Sequence, residues 1–251
     1  MNIGTIQMKS QALDGVVPYT ILLPDPAEVG EGPYPVLVQL HGRNGNHTRW
    51  LYKSNLTDYA KNLPLIVVLP NGGNFLWANL HSMLRYEDFI VQDLWEHINA
   101  TYPVRRDSLW AIGGLSMGGY GALRLGLKYP EKYCSVYAHS SVIPNYEELT
   151  TAWAERLDFV TPERAVDLDC YHWANEIDRS KLPRISFDCG LEDGLLEQNR
   201  RFHAHLQSLG LEHDYAEYHG SHTWSYWDLH VQKALLQHAD ALNIQPVLEE
   251  R

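Results

Sequence analysis

Ser108-Leu109-Trp110-Ala111-Ile112-Gly113 runs without interruption into Gly114-Leu115-Ser116-Met117-Gly118, and Gly119-Tyr120-Gly121-Ala122-Leu123 follows at once. An apolar run that meets a glycine-flanked serine and then a helical pattern, here Ser116–Tyr129 stopped by Pro130, is a strand, a tight turn and a helix. A turn that tight excludes side chains at the flanking positions and leaves the serine hydroxyl at its apex. The pattern G-x-S-x-G alone is common. In this setting it marks Ser116 as a nucleophile.

Working outward, further short apolar runs alternate with helical patterns. Pro35–Leu40 ends at His41-Gly42, and Pro64–Leu69 is closed by Pro70-Asn71-Gly72-Gly73. Tyr133–Ala138, Ile185–Cys189 and His213–Tyr218 are later strands. Helices are expected over Trp50–Lys61, Tyr86–Asn99, Leu195–Leu209 and Trp224–Leu242. Strand and helix in this rhythm imply right-handed βαβ units, hence an α/β protein with a mostly parallel central sheet and helices on both faces. The N-terminal residues alternate polar and apolar as a strand does, and Val16–Leu23 fits an exposed or edge strand. One domain, residues 1–251, accounts for the whole chain. Only 142–180 breaks the rhythm, carrying Trp153, Phe159, Tyr171 and Trp173 among many acids, and it is expected to form a small cap-like insertion.

A serine needs a base, and the base an orienting acid. In an α/β-hydrolase fold these follow the serine in the order acid, histidine, on loops after later strands. Gly190-Leu191-Glu192-Asp193-Gly194 supplies two acids after one strand, and His219-Gly220-Ser221-His222-Thr223-Trp224 supplies His222 after the next. Asp188 lies inside its strand and is expected to face a helix layer. Among 13 histidines, His41 reads as a strand-end residue with a local hydrogen bond and His139 as core or second to the site. His203 and His205, two apart on a helix, cannot face one metal. Glu87, Asp88 and Asp228 read as helix-dipole acids. A developing oxyanion requires two backbone N–H groups. Met117 offers one, and the loop after His41 offers that of Gly42 or Arg43.

The composition is that of an ordinary soluble globular protein and by itself says nothing about chemistry. With 20 Lys+Arg against 31 Asp+Glu, the formal charge is −11, which together with the absence of a long basic run argues against nucleic-acid or anionic-membrane partners. No apolar stretch is long enough to span a bilayer. Three cysteines without a CxxC pair argue against a disulfide framework or zinc cluster, and a cytoplasmic location is expected. No cofactor or metal is called for. The sequence leaves a homo-oligomer open.

His41-Gly42-x-x-Gly45-Asn46 with Trp50, Pro70-Asn71-Gly72-Gly73, Gly114–Ala122, Cys189-Gly190-x-x-Asp193 and Gly220-x-His222-x-Trp224-x-x-Trp227-Asp228 together resemble the esterase D / tributyrin esterase family. That family is related to S-formylglutathione hydrolases, feruloyl esterases and antigen 85 mycolyltransferases. The resemblance spans nearly the whole chain. It implies Ser116 as nucleophile, Asp193 as acid and His222 as base, with the amides of Met117 and Arg43 as oxyanion hole. Arg43 departs from the apolar residue usual at that position. Asn44-Gly45-Asn46 replaces the threonine- and cysteine-containing stretch of the S-formylglutathione branch, which therefore fits less well.

The expectation is a serine carboxylesterase for small-molecule, short-chain acyl esters, working through an acyl-enzyme. The alternatives are an acyltransferase or an acetyl or feruloyl sugar esterase of the same family, and a non-catalytic binding module. Trp50, Trp77 and Trp224 are candidate substrate-binding residues.

Overall fold

Aliphatic and β-branched runs build the sheet. The computed structural model describes residues 1–155 and 160–247. We number the strands of its main sheet β1 (Asn2–Ser10), β2 (Gly15–Leu23), β3 (Val36–Leu40), β4 (Ile66–Pro70), β5 (Trp110–Leu115), β6 (Tyr133–His139), β7 (Arg184–Gly190) and β8 (Asp214–Tyr218). They lie in the order β1-β2-β4-β3-β5-β6-β7-β8. The β1–β2 and β2–β4 pairs are antiparallel. From β4 onward every pair is parallel, as the alternating pattern predicts. The strand over Val16–Leu23 is not at an edge, because the equally long β1 pairs along its outer side.

Every residue of β3, β4 and β5 is buried, as parallel strands covered on both faces require. Their side chains alternate between two apolar layers. Val36, Val38, Ile112 and Val136 point into one with Leu123 and Leu127. Leu37, Val67, Ala111 and Leu115 point into the other with Trp227, Val231 and Leu235. We number the helices used below α1 (Arg49–Lys53), α2 (Leu56–Ala60), α3 (Met117–Lys128), α4 (Leu196–Ser208) and α5 (Trp224–Ala241).

Two helix expectations are corrected. Trp50–Lys61 is two short helices rather than one, since the Ser54 hydroxyl donates to Trp50 O (2.5 Å) and accepts from the Leu56 amide, breaking the turn. The helix from Tyr86 contains a π-helical turn over Phe89–Leu94 before Trp95–Thr101 resumes the α form.

The insertion 142–180 contains short helices at Tyr146–Glu148, Pro162–Leu168 and Cys170–Glu176, and a π turn at Leu149–Trp153. Phe159 falls outside the described residues. The Tyr120 hydroxyl donates to Leu168 O (2.6 Å), and Ile143 N donates to Gln198 Oε1 (2.8 Å). These bonds tie the described part of the insertion to α3 and α4, within one helix layer.

Candidate active site

The site is assembled at the carboxyl ends of β3, β5, β7 and β8, where parallel strands deliver loops to one edge. Ser116 follows β5 with φ 54° and ψ −117°, a backbone conformation that L-residues adopt only under constraint. Two anchors hold it. Its amide donates to His139 O (2.8 Å), and its carbonyl accepts from Tyr120 N (3.0 Å) in the first turn of α3. The turn is tight against β3. A Cβ placed on Gly118 would sit 2.5 Å from Leu40 O and 2.7 Å from His41 O, so only glycine lets α3 approach this closely.

Ser116 Oγ lies 3.0 Å from His222 Nε2, and His222 Nδ1 lies 2.9 Å from Asp193 Oδ2. An ionised Asp193 accepts from Nδ1–H, which leaves Nε2 as acceptor for the serine hydroxyl. The Asp193 side chain is buried, while that of His222 is 37% exposed. Burial alone would raise the Asp193 carboxyl, but hydrogen bonds from His222, the Leu195 amide and the Ser140 hydroxyl outweigh it and hold the group below its ordinary value. The structure thus brings Ser116, His222 and Asp193 into one hydrogen-bonded line. Asp188 is elsewhere, fully buried between His139 Nδ1 and the Tyr226 hydroxyl, both at 2.9 Å.

The loop after β3 abuts the serine turn. A Cβ on Gly42 would lie 2.6 Å from Leu115 Cδ1 and 3.3 Å from Ser116 Cβ. His41 fixes this loop from beneath. Its Nε2 accepts from Gly72 N (2.9 Å), so its proton is on Nδ1 and donates to Gly42 O (2.8 Å). Burial pushes the His41 imidazole down to about 4, keeping it neutral and able to do both. The Asn44 amide donates to Asn74 Oδ1 (2.7 Å), and the Asn74 side-chain amide donates back to Asn44 Oδ1 (3.1 Å). Met117, as the first residue of α3, has an amide with no intrahelical acceptor.

A pocket of about 540 Å³ opens beside Ser116 and His222, walled by Gly42, Arg43, Arg49, Lys53, Trp224 and Trp227 among others. Of the three tryptophans singled out in the sequence, Trp224 lines this pocket and Trp50 and Trp77 do not. Both are buried at 1% exposure or less, Trp50 because its indole N–H donates to Leu40 O (2.9 Å) and Trp77 because its own donates to His41 O (3.2 Å). They brace the carboxyl end of β3 and have no surface left for a ligand. No residue of 142–180 belongs to this wall among the described residues, so the expected cap does not cover the pocket there.

Two residues escaped the sequence reading. Trp227 sets its ring edge-on to His222 (4.8 Å between centroids, 89°) and donates its N–H to Ser140 Oγ (3.2 Å), while Ser140 in turn supports Asp193. Trp227 stood in a quoted motif, yet at a helical spacing it reads as core. Nothing marks Ser140 in one dimension. Among the described residues no group of three or more His, Cys, Asp or Glu could hold a metal ion.

A family model described as "Putative esterase" matches residues 10–238. An acetyl esterase of Caldicellulosiruptor saccharolyticus is 26% identical over 217 residues, which span 79% of this chain and 80% of that protein. Among solved structures, a ferulic acid esterase is similar at TM-score 0.81 and 24% identity, covering 96% of this chain and 98% of the other. An S-formylglutathione hydrolase from Agrobacterium tumefaciens reaches TM-score 0.83 at 20% identity, covering 96% and 95%.

Proposed function

We propose a mechanism on the premise that this chain belongs to the esterase family, whose model spans most of its length: it is an esterase of α/β-hydrolase fold, and Ser116, His222 and Asp193 are its catalytic triad. The observation that carries this reading is the unbroken line from Ser116 Oγ through His222 to Asp193, both contacts at or below 3.0 Å.

Ser116 Oγ attacks the ester carbonyl as its proton passes to His222 Nε2, and Asp193 holds the imidazole in the tautomer that can take it. The tetrahedral oxyanion lies against the amides of Met117 and Arg43, donors already fixed before the charge develops. The alcohol leaves with the proton from His222. Water, deprotonated by the same nitrogen, then releases the acid from the acyl-enzyme. Short acyl groups suit the site. Each buried CH₂ contributes about 0.8 kcal/mol only where an apolar groove receives it, and in this pocket wall the apolar Leu115, Trp224 and Trp227 share the surface with Arg43, Arg49, Lys53 and Asn44. Three free cysteines support a reducing, cytoplasmic setting.

The test is hydrolysis of p-nitrophenyl acetate, butyrate, octanoate and palmitate by the wild type and Ser116→Ala. The wild type is expected to be fastest on acetate or butyrate and to be labelled by a fluorophosphonate. Ser116→Ala is expected to lose about 10⁶ in kcat with an unchanged far-UV spectrum, and to escape labelling. Near-normal turnover by the folded variant would overturn the triad, and a maximum at octanoate or beyond would overturn the short-acyl reading.

A further inference from the structure

The pocket beside Ser116 has an unusual charge for this molecule. The chain carries −11 overall, yet Arg43, Arg49 and Lys53 all line that one pocket and no acidic side chain does. None of the three forms an ion pair among the described residues. Cations that serve only solubility or fold stability are ordinarily scattered or paired with the abundant acids of such a surface. Here they converge.

Their placement is built into the backbone. Arg49 and Lys53 are four residues apart on α1 and so share one face of the helix. Arg43 is carried by a loop held on both sides, by the Gly45 N to Gly42 O turn (3.0 Å) and by the reciprocal Asn44–Asn74 bonds. Beyond a Debye length of about 10 Å the acidic surface is screened, while inside a cleft the nearest charges set the potential. An anion bound there meets three positive groups and no negative one.

We propose that the ester hydrolysed at Ser116 carries a negatively charged group, a carboxylate or a phosphate on its acyl or its alcohol part, which Arg43, Arg49 and Lys53 hold during acyl transfer. The proposal rests on the esterase reading above and narrows its substrate class. Arg49 and Lys53 act here as specificity determinants, with Arg43 adding its side-chain charge to the amide it gives the oxyanion.

Two pairs of esters separate the two positions of the charge. m-Acetoxybenzoate against phenyl acetate places it on the alcohol, and p-nitrophenyl hemiglutarate against p-nitrophenyl butyrate places it on the acyl group. The readout is the charged-to-neutral ratio of kcat/KM within each pair. At least one ratio is expected to fall about tenfold in Arg49→Gln/Lys53→Gln. The same ratio in the wild type is expected to fall as salt rises from about 20 mM to about 500 mM, since screening weakens attraction between partly exposed charges. Ratios in both pairs that respond neither to the double substitution nor to salt overturn the inference while leaving the esterase intact. A wild type that turns over none of the four esters overturns the esterase reading, and this inference with it.

Discussion

Asp188 and Asp193 are five residues apart on one strand-to-loop passage, and their neighbours give them different work. Asp193 has left β7 and reaches the imidazole of His222. Asp188 is still in the strand, wholly buried, with one oxygen to His139 and the other to the Tyr226 hydroxyl. Asp193→Asn is expected to lower kcat by roughly 10⁴, because an amide at that position favours the wrong imidazole tautomer. Asp188→Asn removes a charged acceptor from two buried donors and is expected to cost about 1–3 kcal/mol of stability with turnover within tenfold of the wild type. Steady-state kinetics and urea unfolding of the two variants decide between them, and the reverse pattern would assign the catalytic acid to the strand. This distinction was legible beforehand because strand and loop positions differ in what they can reach. Ser140, which supports Asp193 from another strand's end, was not, since its relation to the acid exists only after β6 and β7 pair.

At the scale of elements, the surprises come from helix faces that meet only in three dimensions. Glu87 opens its helix and was read as a dipole acid. It is in fact 1% exposed, bonded to Arg124, to Lys128 and to the Tyr129 hydroxyl. Arg124 and Lys128 are one turn apart on α3 and also bind Asp167 of the insertion. Two carboxylates, Glu87 and Asp167, thus meet on the same two cations and join three segments behind the serine turn. Asp228 likewise serves another element, accepting from the Asn55 amide (2.6 Å) and side chain (2.8 Å) at the start of α2. Hydrophobic periodicity reveals a helix and its buried stripe, but it carries no information on which partner's charge will lie opposite. For the same reason it could not show that Trp50 and Trp77 brace the carboxyl end of β3 from opposite faces of the sheet.

Burial alone would raise the Glu87 carboxyl, but Arg124 and Lys128 outweigh it and bring the group from 4.5 down to about 2. Its folded value is depressed, so its contribution to stability is present above about pH 4.5 and is lost as pH falls toward 2. Glu87→Gln takes from buried Arg124 one of its two carboxylate partners, leaving Asp167, and is expected to cost about 3 kcal/mol at pH 7. The gap between wild type and variant is expected to close between pH 4.5 and 2, where the wild-type carboxyl takes up its proton. A gap that stays constant across that range would show that packing, and not the charge, accounts for the loss.

For the whole molecule, the parallel sheet and its two apolar layers were legible from alternating runs, because burial on both faces leaves a near-continuous apolar signature. What the runs did not disclose is how many histidines the layers enclose in neutral form. His41 is buried and pushed down to about 4. His238 is buried beneath β6, hydrogen-bonded to Ser135 Oγ (2.8 Å), and burial pushes it to about 3. Each titrates near 6.5 once unfolded. Below that value the unfolded chain binds protons that the folded protein refuses, so stability is complete above about pH 6.5 and declines as pH falls toward 4. Two such groups amount to about 4 kcal/mol lost between pH 7 and 5. The opposing trend, relief of repulsion as the net charge of −11 is reduced, acts between exposed groups and is suppressed by salt. Urea unfolding at pH 7, 6 and 5 in about 0.3 M NaCl is therefore expected to show a midpoint that falls steadily, with a free-energy slope of at least about two protons near pH 5, since burial also lowers His47, His97, His203 and His230. Only as pH nears 4 does the folded protein protonate His41, which can then no longer accept from Gly72 N, so that support of the loop carrying Arg43 persists across the range from pH 7 to 5. A midpoint that is flat or rises between pH 7 and 5 would mean that the imidazoles reach water in the folded state, and the loop after β3 would then need another source of rigidity.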